Sequence, residues 1–129
     1  MAGKFLLDTN IVLAIWQGDL QVLKKLSAEN YHYLPSVVLG ELYFGACHSS
    51  KVESNLERVD LIAALWAILP CDATTARQYG LSRELLSQKG KPIPENDIWI
   101  AALAIQHSLI LVTSDEHFQH VEKLSLEAW

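Results

Sequence analysis

The sequence predicts an α/β fold in three layers, with helices on both faces of a central, mainly parallel sheet. Three observations predict it. Phe5-Leu6-Leu7 is an unbroken apolar run, as a strand buried on both faces requires. Leu109-Ile110-Leu111-Val112-Thr113 is a second such run, β-branched at its end. Around them, short strand-like segments alternate with segments of helical spacing.

The 129 residues suit one domain spanning 1–129, and half of them are hydrophobic, so the chain can build a full core. No apolar run approaches a membrane span, and Asp8 interrupts any signal-peptide layout. A cytoplasmic protein with no membrane partner is expected. The formal net charge of −5 argues against tight, non-specific binding to long duplexes. It does not exclude a nuclease, because the field near a site is local. It also suits a basic partner segment. Cys47 and Cys71 match no zinc or redox spacing, and both are expected to be buried free thiols.

The first strand ends at Asp8, and a carboxylate at the carboxyl end of a strand is placed for chemistry. The competing reading is that Asp8 only caps the helix that follows. Thr9 and Asn10 are also good caps, for a helix over Ile11–Trp16. Asp19 caps a second helix, with Leu20, Leu23 and Leu26 on one side and Lys24 and Lys25 on the other. Tyr31–Leu34 is a strand ended by Pro35, and Ser36 caps a helix over Val37–His48. In that helix Glu41 is flanked by Val37, Val38, Phe44 and Gly45, a costly place for a lone carboxylate unless it points out through a gap. Gly40 and Gly45 suggest close approach of another group.

A longer helix over Lys51–Leu65 carries the stripe Val52, Leu56, Val59, Ile62, Ala63. Trp66–Pro70 reads as a strand. Asp72 caps a helix ending at Lys89, with Gly90 just past its end. The stiff loop Lys91–Pro94 leads to a helix with Asn96 and Asp97 in its first turn. Asp97 has Ile100, Ala101 and Ala104 on its side, so it faces the core, although a first-turn acid can also be a dipole device. Ser114-Asp115-Glu116 follows the Leu109–Thr113 strand, Phe118 and Val121 mark a short helical turn, and Leu124–Leu126 is a last strand.

Asp8, Glu41, Asp97 and Asp115 thus lie at strand ends or on apolar helix sides. Meeting in one pocket they could not all stay ionised without counter-charge, and no lysine or arginine adjoins any of them in sequence. The natural counter-charge is Mg2+ or Mn2+. Such a site activates water against a phosphodiester. His117 and His120 are three apart, but they read as surface residues of the Phe118 turn rather than a zinc pair.

With Leu7-Asp8-Thr9-Asn10, Gly40-Glu41-Leu42, Asn96-Asp97-Ile98-Trp99-Ile100-Ala101 and Leu111-Val112-Thr113-Ser114-Asp115 in this order, the chain resembles a PIN domain. Within that class it resembles a VapC-type toxin of a bacterial toxin–antitoxin pair. The resemblance covers essentially the whole length. It implies a metal-dependent endoribonuclease with Asp8, Glu41, Asp97 and Asp115 as the catalytic and metal-binding acids, supported by Asn10 and Thr113. Glu116 is an alternative to Asp115. RNA is the implied substrate and a cognate VapB-type antitoxin the implied partner, its tail along the N-terminal helices and a basic side chain in the acidic pocket. Two other functions fit the residues. One is an inactive PIN-like RNA-binding module. The other is a phosphatase using Asp8 as nucleophile, although such enzymes want a second Asp where Asn10 stands.

Two surfaces complete the expectations. Arg77, Arg83, Lys89 and Lys91, against the single acid Glu84, form the most basic stretch, suited to RNA phosphates near the site. Ile15, Trp16, Leu20 and Leu23 offer more apolar surface than one helix face buries, suited to a homodimer or antitoxin interface.

Overall fold

The computed structural model describes residues 3–27 and 31–129. Among the described residues, strands β1 (Lys4–Leu7), β2 (Tyr31–Pro35), β3 (Ala67–Leu69), β4 (Ile110–Val112) and β5 (Ser125–Glu127) form one sheet in the order β3-β2-β1-β4-β5. Every pairing is parallel. Helices α1 (Thr9–Trp16), α2 (Leu20–Ser27), α3 (Ser36–Cys47), α4 (Val52–Leu65), α5 (Ala73–Lys89) and α6 (Glu95–Gln106) flank it. The expected three-layer α/β architecture is therefore found.

The apolar run of β1 takes the central place because only there is a strand covered on every side. It pairs with β2 through Lys4↔Tyr31 and with β4 through Leu7↔Val112. Leu6, Leu7, Leu111 and Val112 are fully buried. Burying a side chain of this size contributes about 1.5–3 kcal/mol. α6 supplies the other dense part of the core, with Ile100, Ala101, Ala102 and Leu103 all buried. Its alanines keep the helix close to what it packs on.

Several boundaries differ from expectation. α1 begins at Thr9, not Ile11, because the Asp8 side chain itself takes the cap, accepting from the Thr9 N–H at 2.8 Å. The residue before α3 is Pro35, which makes no side-chain cap bond, so Ser36 is already helical. In α2 the Asp19 cap is as expected, but Val22 is the buried residue and Leu20, at the first position, is 81% exposed. β4 is only Ile110–Val112 and the last strand is displaced to Ser125–Glu127. Asp72 caps α5 in a reciprocal box with Thr75, and Gly90 ends that helix at φ 67°, a conformation that favours glycine.

The cysteine expectation fails. Cys47, in the last turn of α3, and Cys71, in the loop after β3, are both exposed free thiols. Apolar neighbours in sequence do not bury a residue whose backbone lies at the rim of a layer. The close approach expected at Gly40 and Gly45 is also absent: a Cβ at either would meet nothing within 4 Å. Both face open grooves rather than packed elements.

Candidate active site

The chain leaves β1 toward β2 on one side and later returns to β4 on the other. The crevice outside the carboxyl ends of two such strands is where open α/β sheets bind ligands. Asp8 stands there, only 2% exposed, its backbone N–H donating to the Val112 carbonyl at 3.0 Å. Its Oδ1 is taken by the Thr9 N–H. Its Oδ2 accepts from Thr113 Oγ1 at 2.7 Å and from Asn10 Nδ2 at 3.1 Å. Asp8 is thus both the cap of α1 and part of the acidic crevice.

Thr113 and Asn10 tie the two strand ends together. The Thr113 hydroxyl donates to Asp8 and accepts from the Asp115 N–H at 3.1 Å. Asn10 also reaches Asp115 Oδ2 at 3.4 Å, and its Oδ1 accepts from the Ser114 N–H at 3.2 Å. Glu41 arrives from α3, half-buried rather than pointing out, with Oε2 accepting from Thr9 Oγ1 at 2.8 Å. Asp97 arrives in the first turn of α6, its Oδ2 lying 2.6 Å from His117 Nε2. Asp97, Asp115 and His117 each offer a ligand atom, all within 4.8 Å of one another.

The electrostatics show the same convergence. Burial pushes the Asp8 carboxyl up, hydrogen bonds from Thr113, Thr9 and Asn10 oppose it, and the Asp115 charge raises it further. Burial also pushes Glu41 up, with the charges of Asp8, Asp97 and Asp115 adding and the Thr9 bond opposing. Asp97 is raised by burial first and then by Asp8 and Asp115, against the opposing His117 contact. Acids from separate segments therefore share one field. Among the described residues, none of the four forms an ion pair with lysine or arginine. An oxygen-rich donor set lacking fixed cations fits a hard divalent ion. An open depression of about 580 Å3 beside the acids, lined by Thr9, Val37, Gly40, Glu41, Phe44 and Asn96, leaves room for a substrate strand.

Asp115, not Glu116, joins the cluster, while Glu116 is exposed and lies outside it. Sequence reasoning missed two residues. Thr9 was seen only as a cap, yet it holds Glu41. In sequence His117 reads as a surface residue, yet it contacts Asp97, because the buried Phe118 anchors the turn Glu116–His120 against the core. Its spacing of two from Asp115 was the available signal. His120 is exposed, as expected.

The basic stretch is partly engaged already. Arg83 donates to Glu95 and to the Tyr79 hydroxyl, both at 2.7 Å. Lys89 donates to the His120 carbonyl at 2.9 Å and pairs with Glu122 at 3.2 Å. Arg77 and Lys91 are exposed. Of the apolar set, Leu20 is exposed, Ile15 and Leu23 are half-buried, and the Trp16 ring is covered by Arg58 at 4.3 Å. Asp8, the nucleophile of the phosphatase alternative, is buried with both oxygens hydrogen-bonded, and Asn10 stands where that chemistry wants a second Asp.

Comparison with known proteins gives a consistent picture. The PIN domain family matches residues 5–124. Ribonuclease VapC2 of Rickettsia felis is 35% identical over 133 residues, covering 97% of each chain. The tRNA(fMet)-specific endonuclease VapC of Shigella flexneri is 33% identical over 129 residues, covering 98% of each. The crystal structure of VapBC2 from Rickettsia felis bound to a DNA fragment from their promoter contains a chain that matches with a TM-score of 0.87 and 34% identity, over 98% of both chains.

Proposed function

This chain belongs to the PIN-domain family, and on that footing we propose that it is an endoribonuclease, the toxin of a toxin–antitoxin pair, dependent on Mg2+ or Mn2+. The observation that carries this reading is the convergence of Asp8, Glu41, Asp97 and Asp115, from four separate segments, outside the carboxyl ends of β1 and β4. These four side chains would hold the divalent ion. Bound there, such an ion would supply polarisation of a phosphoryl oxygen and a lowered pKa for the attacking water. The rest is done by the chain. Thr113 and Asn10 fix the orientation of Asp8 through hydrogen bonds to Oδ2, which favour its ionised form against the cost of burial. Thr9 fixes Glu41 through Oε2. The other Glu41 oxygen would then be the one that faces the ion.

The chain is proposed to act as one cytoplasmic domain over 1–129. No helix among the described residues is long and apolar enough to cross a membrane. Its proposed partner is a VapB-type antitoxin, a reading supported by the matched VapBC complex. A groove of about 310 Å3 between α1, α3 and α4, lined by Leu13, Trp16, Leu42 and Arg58 among others, runs to Glu41. It has the shape and chemistry for an antitoxin tail whose basic side chain reaches the acids. The exposed Leu20, 81% accessible, remains available for a homodimer contact.

The test is a cleavage assay on mixed RNAs with Mg2+ or Mn2+, an EDTA control and Asp8→Asn. Cleavage that needs the metal and Asp8 supports the proposal. RNA binding without cleavage under any metal favours the inactive module.

A further inference from the structure

We propose that His117 is a nitrogen ligand of the cation site, and that the site therefore prefers a first-row transition ion such as Mn2+ over Mg2+. This rests on the metal reading above and goes beyond it in ligand set and metal class. The first observation is the 2.6 Å contact between His117 Nε2 and Asp97 Oδ2. Two neighbouring donors on one ion, each bound at about 2.0–2.2 Å, lie roughly 3 Å apart. The pair needs to open by only a few tenths of an ångström for an ion to replace the shared proton.

The second observation is the third donor. A histidine that merely oriented Asp97 would need Asp97 alone. Here Asp115 lies in the same group, with all three ligand atoms within 4.8 Å of one another. Donors on opposite sides of one ion are separated by roughly 4–5 Å. The three atoms therefore fit within one coordination shell. The third observation is placement. His117 directly precedes Phe118, which is fully buried, and the two rings lie 5.0 Å apart. The imidazole is thus carried on an anchored turn. Its side chain is 34% exposed and that of Asp97 15%, so the pair stands at the edge where an ion and its waters can enter.

Imidazole suits the later first-row ions most and Mn2+ least among them, but Mg2+ less still, because Mg2+ demands a near-ideal octahedral oxygen shell. One nitrogen donor among the acids shifts preference accordingly.

The experiment uses the isolated chain loaded with Mn2+ alone and pulsed electron paramagnetic resonance. The expected result is spin-echo modulation from a directly bound imidazole 14N, replaced by the 15N pattern when the protein is made with 15N-histidine. That comparison leaves the sequence, and hence the fold, untouched. His117→Gln should abolish the modulation and weaken Mn2+ binding about tenfold, with Mg2+ binding little changed, so that the Mn2+/Mg2+ preference falls about tenfold. Bound Mn2+ without histidine modulation overturns the inference while leaving the acidic metal site standing. Modulation that survives in His117→Gln overturns it by assigning the nitrogen elsewhere. A wild-type chain that binds no Mn2+ by titration calorimetry overturns both the inference and the reading beneath it.

Discussion

Asp8 and Asp72 both stand between a strand and a helix, and both cap the helix that follows. Each also hydrogen-bonds a threonine side chain, Thr113 for Asp8 and Thr75 for Asp72. Their surroundings differ in kind. Asp72 is exposed, and backbone bonding from Thr75, with Gln106 adding a side-chain bond at 3.0 Å, holds its carboxyl below the ordinary value of 3.8. Asp8 is 2% exposed and is pushed above that value, in spite of three hydrogen-bond donors. The difference lies in the neighbours. Asp72 has donors and water around it, whereas Asp8 is dry and shares its field with other acids. Local pattern alone identifies a cap. An acid that stays costly after capping points to chemistry rather than to helix capping alone.

The largest expected contrast is in activity. Asp8→Asn should lower RNA cleavage by more than about 100-fold, beyond what the outer partners of a metal site typically supply. Asp72→Ala should leave cleavage unchanged, and comparable losses in both would erase the distinction. Next come the two threonines. Thr113→Val removes the donor to Asp8 and the acceptor for the Asp115 N–H, so Mn2+ affinity should fall about 10- to 100-fold by calorimetry. Thr75→Val breaks the capping box and the bond to Gln106, both away from the acids, and should lower the melting temperature without changing Mn2+ affinity.

The smallest effect is in pH dependence, where the two aspartates should have opposite signs. The Asp8 carboxyl is raised, so its contribution to stability is full below 3.8 and is lost as pH rises through its folded value. The Asp72 carboxyl is lowered, so its contribution is present above 3.8 and is lost as pH falls through its folded value. In EDTA, the urea midpoint of wild type relative to Asp8→Asn should therefore decline as pH rises above 3.8. Relative to Asp72→Ala it should decline as pH falls below 3.8. Slopes of the same sign would mean that the two environments do not differ as described.

The fold was legible because its central strands are continuous apolar runs and α1, α2 and α5 each start at a capping aspartate. Phe5–Leu7, Asp19, Asp72 and Gly90 all behave as their chemistry predicts. The four acids were legible as residues that no packing argument explains. What failed depends on orientation that sequence neighbours do not set. Cys47 and Cys71 sit beside apolar residues in sequence yet are exposed. His117 turns inward because Phe118 inserts in the core, which becomes visible only once the turn is placed. Arg83 and Lys89 looked like free cations, yet they meet Glu95 and Glu122, acids distant in sequence.

The central claim, that the acids form a divalent-cation site, is tested most directly at Asp97, which is both a first-turn acid and a crevice residue. The measurement is a pair of thermal melts of wild type and Asp97→Asn, in EDTA and in Mn2+, beside one RNA-cleavage assay. Burial and the charges of Asp8 and Asp115 make the ionised Asp97 costly without metal. The variant should therefore be inactive, at least as stable as wild type in EDTA at neutral pH, and stabilised much less by Mn2+. A variant that is destabilised in EDTA but still cleaves RNA would show that Asp97 is only a helix-terminus device, and would contradict the metal site.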